Sequence, residues 1–168
     1  MSGPIRLAVI SDSHHAKARV ESFARLAARE GFDAVVHCGD GESDARWLSE
    51  KLPMPVRFVA GNCDFLADAG REECFSLGGA RLFVAHGDRY GVKYGLERLS
   101  YRAEELGARA ALFGHTHAPF AGYAGGVLLV NRGALKDGRY AVLRIAEDAI
   151  EPRLEKLESG NGEQRCNR

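Results

Sequence analysis

Five short polar clusters each follow an apolar run in this chain of 168 residues. The clusters are Asp12-Ser13-His14, Gly39-Asp40, Gly61-Asn62-Cys63-Asp64, His86-Gly87 and Gly114-His115-Thr116-His117. Imidazole nitrogens and carboxylate or amide oxygens are the ligands that divalent transition metals take in proteins. The clusters therefore predict a site for a borderline divalent ion such as Mn²⁺, Fe²⁺, Ni²⁺ or Zn²⁺.

The spacing within two clusters supports this hypothesis. One residue separates Asp12 from His14, and one residue separates His115 from His117. In an extended chain, residues two positions apart point to the same side. We therefore expect the two side chains of each pair to coordinate a cation from one side. Glycines adjoin the proposed ligands, where they permit sharp turns and a close approach of the backbone.

For the five clusters to form one site, the strands that precede them must end close to one another. Apolar runs at 7–10, 34–36 and 56–59 predict strands, and helical spacing lies between them. Val20, Phe23 and Ala27 mark one helix, and Ala45 and Leu48 mark another. This alternation predicts an α/β domain with parallel strands, whose ligands bind beyond the carboxyl ends of the strands.

The second half of the chain predicts further strands. Residues 73–77 and 80–84 flank a glycine pair and predict a hairpin, and one helix follows around Leu99 and Ala103. A buried strand is expected at 110–113, and antiparallel strands at 120–123, 127–130 and 140–145. Residues 150–157 predict an edge strand. The short hairpin segment leaves no room for a cap domain, so we expect an open site.

In order and spacing, the five clusters resemble the signature of calcineurin-like metallophosphoesterases, especially the small bacterial and archaeal phosphodiesterase branch. The resemblance covers the chain from residue 6 to about residue 157. It implies an α/β fold, a four-layered αββα sandwich of two mixed β-sheets flanked by helices. We expect one domain over residues 1–157, followed by a polar and disordered tail at 158–168.

The resemblance also implies two divalent metal ions, with Mn²⁺ favoured. The implied ligands are Asp12, His14 and His117 for the first ion, Asn62, His86 and His115 for the second, and Asp40 as the bridge. Paired cations lower the pKa of a shared water, which attacks phosphorus in line. The residues expected to act in catalysis are Asp40, Asn62, His86 and Asp64, the last by orienting a ligand or loop.

Cys63 and Arg132 are among the positions that depart from the family pattern. Cys63 stands where many relatives carry a histidine that protonates the leaving group, and a thiol of ordinary pKa is a poor general acid at neutral pH. His15 is an alternative proton donor. Arg132 interrupts a turn that often reads Asn-Pro-Gly-Ser, and it is expected either to contact a phosphate or to be exposed.

Three functions remain open at this stage. The leading hypothesis is a phosphodiesterase that acts on a small phosphodiester. A phosphomonoesterase would need cations for the additional charge, and Arg89, Lys93 and Arg132 are the candidates. The fold also resembles a eukaryotic retromer subunit that binds proteins, in which the bridging carboxylate and amide ligands are altered. Asp40 and Asn62 retain the catalytic residue types here, which favours an enzyme.

Composition excludes several other classes. Lys+Arg and Asp+Glu both number 23, so a nucleic-acid partner is not expected beyond a small nucleotide. The four cysteines form no CxxC pair, which indicates free thiols in a reducing compartment. The apolar runs are too short for a membrane span or a signal peptide, so we expect a cytoplasmic protein. A symmetric homodimer is consistent with the sequence.

Overall fold

The structure, a computed structural model, describes residues 3–65 and 68–158 of the chain. Within these residues the first sheet has the strand order β10-β9-β1-β2-β3, and the second has the order β4-β5-β6-β8-β7. The strands of the first sheet are β1 (Ile5–Ile10), β2 (Ala34–His37), β3 (Val56–Phe58), β9 (Arg139–Ile145) and β10 (Ile150–Lys156). Those of the second are β4 (Glu72–Leu77), β5 (Ala80–Ala85), β6 (Ala110–Leu112), β7 (Phe120–Ala124) and β8 (Val127–Asn131). The helices are α1 (Lys17–Glu30), α2 (Glu42–Lys51) and α3 (Glu97–Glu105).

The alternation of side chains along β1 shows how the layers form. Leu7 and Val9 point into a core shared with the second sheet. Ala8 and Ile10 point the other way, into a core with Phe23 of α1. Such two-sided burial explains why the strand is apolar throughout rather than alternating.

A third core lies between the second sheet and α3. Leu99 and Ala103 of the helix pack with Phe83, Phe113 and Leu129 of the sheet and its loops. The order of layers is therefore helices, first sheet, second sheet, helix. This arrangement confirms the predicted four-layered sandwich of two mixed sheets flanked by helices.

The strand register aligns the ends that carry the polar clusters. In the first sheet the parallel partners are Ile10 and His37, and then His37 and Phe58. In the second sheet Val84 lies opposite Leu112, and both belong to parallel strands. Because parallel strands end at the same edge of a sheet, the clusters that follow them emerge together.

The predicted elements are confirmed with small shifts of their ends and one correction. The first helix stops at Gly31, whose left-handed φ of 65° lets its N–H reach the Ala27 carbonyl. Strand β8 was expected to be antiparallel, but it is antiparallel only to β7 and pairs in parallel with β6. Its position between two strands of opposite direction makes the second sheet mixed.

The last strand β10 forms the predicted edge of the first sheet. The segment 72–85 is used by the β4–β5 hairpin, as expected for a fold without a large insertion there. The helices of the described ranges are all too short or too polar to cross a membrane. Apart from its first residue, the predicted tail at 158–168 lies outside the described residues.

Candidate metal centre

Hydrogen bonds tie the loops that follow the strands into one assembly. The Asp12 N–H donates to the Gly39 carbonyl at 2.9 Å and joins the loops after β1 and β2. The Gly114 N–H donates to the His86 carbonyl at 2.9 Å and joins two loops of the second sheet. The His115 N–H donates to Asp12 Oδ2 at 3.2 Å and connects the two sheets. The clusters predicted from the sequence therefore meet at one place.

Asp12, His14 and His117 form a first group of candidate ligands. Each offers one ligand atom, and these atoms lie within 4.8 Å of one another. Asp12 Oδ1 lies 3.2 Å from His117 Nε2 and 3.6 Å from His14 Nε2. The two imidazole Nε2 atoms are 3.4 Å apart. One carboxylate and two imidazoles that converge in this way suit a transition-metal ion.

Asp40, His86 and His115 form a second group of the same kind. Asp40 Oδ2 lies 3.1 Å from His86 Nε2, and the rings of His86 and His115 are 5.0 Å apart between centroids. The same Asp40 oxygen is 3.7 Å from His14 Nε2, which belongs to the first group. Asp40 is thus placed between the two groups, as a bridging carboxylate requires.

The hydrogen bonding of His86 indicates whether these residues can bind a metal ion. Its Nδ1 lies 2.9 Å from the Cys38 carbonyl, which only accepts, so Nδ1 carries the proton. When the ring is neutral, the lone pair of Nε2 therefore faces the Asp40 carboxylate. Among the described residues, buried His86 Nε2 and Asp12 Oδ1 have no hydrogen-bond partner. Lone pairs that face one another need a proton or a cation between them, and the donor set fits a cation.

The charge balance of the second group follows from this contact. Burial alone would raise the pKa of the Asp40 carboxyl group. Its pairing with His86 and the hydrogen bond from the Cys63 N–H outweigh this effect and lower the pKa. Burial opposes a charge on His86 too, yet Asp40 and Asp12 raise the pKa of that imidazole. Burial, followed by the charges of His86 and Lys93, lowers the pKa of His115. The Asp40 carboxyl group thus stays ionised and His115 neutral, the forms that bind metal.

The backbone at the ligands is unusual. The non-glycine residues with left-handed φ, among those described, are Asp12, His14, His15, Asp40, His115 and His117, with φ between 45° and 71°. Five of these six residues are implied ligands. Left-handed backbone costs energy in such residues and is concentrated at functional sites. The ligand pairs are therefore not extended, and the expectation that each pair grips one ion from one side is wrong for His115 and His117, which belong to different groups.

Two of the predicted glycines leave space for a ligand carboxylate. A Cβ atom at Gly61 would collide with the side chain of Asp40, and one at Gly114 would collide with Asp12. At these positions a side chain would displace the ligand. The close approach expected from the sequence is therefore present at both glycines.

Asp64 holds the loops in place without joining either group. Its carboxylate accepts four backbone N–H bonds, from Asp40 at 2.8 Å, Gly61 at 2.8 Å, Gly41 at 3.0 Å and Glu42 at 3.1 Å. The last of these N–H groups opens α2, where a negative charge is favourable. The contacts agree with a loop-orienting function, and a part in catalysis stays a prediction.

Asn62, Cys63 and His15 are placed less closely than the other candidates. Asn62 is exposed, and its amide contacts Cys63 Sγ at 3.6 Å, so its assignment to the second ion stays a prediction. Cys63 Sγ lies within 4.8 Å of ligand atoms of His14 and Asp40. His15 belongs to neither group, and its Nδ1 lies 3.3 Å from Ser43 Oγ.

Arg132 overturns an expectation from the sequence. It was expected to contact a phosphate or to be exposed, but its side chain is completely buried behind the first group. Its guanidinium donates to Ser11 Oγ, and Ser11 in turn donates to Asp12 Oδ2. A guanidinium in this position supports a ligand carboxylate from behind and is out of reach of a substrate.

A buried hydrogen-bond network lies behind the loops. His37, the last residue of β2, accepts the Gly39 N–H on its Nδ1 at 3.1 Å. Its other nitrogen therefore carries the proton and donates to Ser13 Oγ at 2.9 Å, which donates to Asp44 at 2.6 Å. The polar residue at the end of an otherwise apolar strand was the signal in the sequence.

A layered sandwich that gathers carboxylates and imidazoles at its strand ends defines a metallophosphoesterase-like protein. Residues 5–147 match the model described as the calcineurin-like phosphoesterase superfamily domain, and the chain belongs to that superfamily. It is 35% identical over 152 residues to the probable metallophosphoesterase YsnB of Bacillus subtilis (strain 168), across 87% of this chain and 88% of the relative.

Solved structures agree with this assignment. A conserved uncharacterized protein of Streptococcus pneumoniae TIGR4, a predicted phosphoesterase, superposes with a TM-score of 0.78 and 27% identity, over 95% of this chain and 96% of its own. A Vps29 variant from Entamoeba histolytica has a TM-score of 0.75 at 17% identity, over 92% and 100%. An archaeal phosphodiesterase has 0.71 at 15%, over 90% and 100%. The last two likenesses concern the fold alone.

Proposed function

We propose that the protein is a metal-dependent phosphodiesterase that uses two divalent ions, with Mn²⁺ favoured, on a small phosphodiester in the cytoplasm. The observation that carries the proposal is the position of Asp40 between two groups of ligands. Its Oδ2 lies 3.1 Å from His86 Nε2 and 3.7 Å from His14 Nε2. A shared carboxylate of this kind is what a two-ion phosphoester hydrolase needs.

Bound divalent ions would act as Lewis acids and supply an acidified water for in-line attack on phosphorus. The residues of the chain fix where this happens. Asp12 and Asp40 bring negative charge to a buried place, and the hydrogen bond to Cys38 turns the free nitrogen of His86 inward. Asp64 fixes the loop that carries Asp40. Hydrolysis makes one bond to phosphorus and breaks another, and the departing oxygen must gain a proton.

The charges around the site favour a diester over a monoester. A monoester carries one more negative charge at neutral pH and needs cationic or N–H donors beyond the metal ions. The burial of Arg132 removes one of the three candidate cations. The other two, Arg89 and Lys93, are exposed side chains with high conformational freedom. A diester carries one negative charge fewer and therefore needs fewer cationic or N–H donors.

A protein-binding scaffold was the alternative of a different class, and an apolar patch at the edge of the second sheet would favour it. Strand β7 forms that edge and exposes Phe120 and Tyr123. Side chains alternate between the two faces of a strand. Phe120 and Tyr123 are three positions apart, so their rings lie on opposite faces of β7. They do not form one patch, and the ligand groups favour the enzyme.

The test is hydrolysis of bis(p-nitrophenyl) phosphate against p-nitrophenyl phosphate. The protein is stripped with chelator and then given Mn²⁺, Ni²⁺, Zn²⁺ or Mg²⁺ separately. We expect the diester to be cleaved faster, with Mn²⁺ restoring the highest rate. A faster monoester reaction would replace the proposal by a phosphomonoesterase. Two bound ions without turnover of either substrate would favour the scaffold.

A further inference from the structure

An open groove of about 440 Å³ adjoins the metal centre on the side of the second sheet. One wall is the loop that leads from His86 to α3, and the other is the chain from the histidine pair into β7. The groove is lined mainly by apolar side chains, among them Val92, Leu96, Phe113, Pro119 and Phe120. Ligand sites in proteins commonly have volumes of about 300–1,000 Å³ and such linings.

The groove borders the metal centre, although none of the candidate ligands lines it. Thr116, which lines it, is the residue between the ligands His115 and His117. Lys93 lines the opposite wall and lies near enough for its charge to act on His115. A group held in the groove would therefore be close to a phosphate bound at the ligands, on the side of Lys93.

The polar group in the groove is fixed in orientation. Buried Asn131 donates to Thr116 Oγ1 at 2.8 Å and to the Gly114 carbonyl at 3.2 Å. The Ala118 N–H donates to the same hydroxyl at 3.2 Å. Because Thr116 Oγ1 already accepts two bonds, its own proton is directed to a further acceptor, which a ligand in the groove would provide.

The groove has two aromatic residues, Phe113 and Phe120, of which Phe120 is the exposed one. The ring of Phe120 leans along β7 over Gly122, since a Cβ atom at Gly122 would come within 3.1 Å of Phe120 Cζ. The glycine thus lets the ring lie along the strand. An exposed flat apolar face of this kind suits a flat aromatic ligand, because aromatic rings pair favourably in offset or edge-to-face arrangements.

We infer that this groove is a subsite for one ester group of the substrate, and that the group is planar and aromatic, the class to which nucleobases and aryl groups belong. The inference rests on the proposed phosphodiesterase function. Charge complementarity supports it, because the charge of Lys93 acts on His115 and would attract an anionic phosphate there, whereas the apolar side chains of the groove suit the ester group. Thr116 supplies the hydrogen bond that a heteroatom of the ring would accept.

The first experiment compares phenyl p-nitrophenyl phosphate with ethyl p-nitrophenyl phosphate, which share a leaving group. We expect kcat/KM to be about tenfold higher for the phenyl diester, from apolar surface buried in the groove. Phe120→Ala should reduce that ratio about fivefold. Tyr123→Ala, an aromatic on the opposite face of the same strand, should leave it unchanged. Equal kcat/KM values for both diesters would overturn the inference.

The second experiment separates the subsite from the reaction. Diphenyl phosphate is titrated into the metal-free protein, and amide chemical shifts are followed by NMR. We expect shifts at Leu96, Thr116 and Phe120 that are lost in Phe120→Ala and kept in Tyr123→Ala. Absence of these shifts would overturn the subsite even if diesters are hydrolysed. Their presence without any hydrolysis would keep the aromatic subsite and reject the proposed phosphodiesterase function.

Discussion

The Arg132 guanidinium lies 3.9 Å from the Asp12 carboxylate, and both side chains are completely buried. Ser11 Oγ stands between them, in contact with each. The second nitrogen of the guanidinium, Nη1, has no hydrogen-bond partner among the described residues. A permanent positive charge therefore lies directly behind a ligand of the first group. Its attraction compensates the Asp12 charge when no metal ion is bound.

Arg132→Met should for this reason destabilise the metal-free protein. The substitution keeps most of the side-chain volume but leaves the Asp12 carboxylate buried without its counter-charge. Removing one partner of a buried ion pair costs about 3 kcal/mol or more. We expect a loss of this size in the free energy of unfolding, measured by urea denaturation after treatment with chelator.

The matched control for this experiment is Arg144→Met. Arg144 also pairs with a carboxylate, that of Glu151 at 3.8 Å, but both side chains are more than half exposed. Surface pairs contribute little to stability. If the two variants lost the same small amount, Arg132 would not support Asp12.

Most of the fold followed from the sequence, because apolar periodicity is a local feature, and the polar clusters indicated most of the side chains that the structure brings together. The left-handed backbone at Asp12 and Asp40 could not be predicted, since neither residue type requires it. The position of Arg132 could not be predicted either. An arginine in a turn is ordinarily exposed, and only the folded arrangement of two sheets places this one behind Asp12.

Asp40→Asn should weaken both metal sites. Asparagine has nearly the same shape as aspartate but lacks the charge that a bridging ligand contributes to two cations. Calorimetric titration of the chelator-treated protein with Mn²⁺ should show two ions for the native protein and at least about 100-fold weaker binding for the variant. Diesterase activity should fall at least about 1,000-fold.

The control for charge alone is Asp148→Asn, in an exposed turn between β9 and β10. It should bind two ions and turn over substrate like the native protein. Tight binding of two ions by Asp40→Asn, together with undiminished hydrolysis, would show that this carboxylate does not bridge.

His37 should make the metal-free protein sensitive to mild acid. Burial lowers the pKa of this imidazole from 6.5 to about 4, and its neutral Nδ1 accepts the Gly39 N–H. Because the unfolded chain binds the proton more readily, this stability is complete above pH 6.5 and is lost as the pH falls towards 4. The loss amounts to about 3 kcal/mol.

The measurement is the free energy of unfolding of chelator-treated protein between pH 7 and pH 4. In His37→Asn the side chain does not titrate, so the slope against pH should be smaller by the amount that His37 contributes. The comparison variant is His15→Asn, which replaces an exposed histidine. An unchanged slope in His37→Asn would mean that His37 is not the titrating group.

Cys63→His should change the dependence of the rate on the leaving group. The Cys63 N–H donates to Asp40 Oδ1 at 2.8 Å, so this position is fixed beside the bridging carboxylate. Burial, and next the negative charge of Asp40, raise the pKa of the Cys63 thiol, which makes it a weaker acid still. An imidazolium at this position would protonate a departing alkoxide, whereas p-nitrophenolate leaves without help. We therefore expect about a tenfold or larger gain for alkyl leaving groups and little change for p-nitrophenol.

The readout is the slope of log kcat against leaving-group pKa across a series of Mn²⁺-activated diesters, which should become shallower. Cys63→Ala removes the thiol without adding an acid and should keep the native slope. A uniform gain across the series for Cys63→His would reject proton donation from this position, because only a general acid discriminates between good and poor leaving groups.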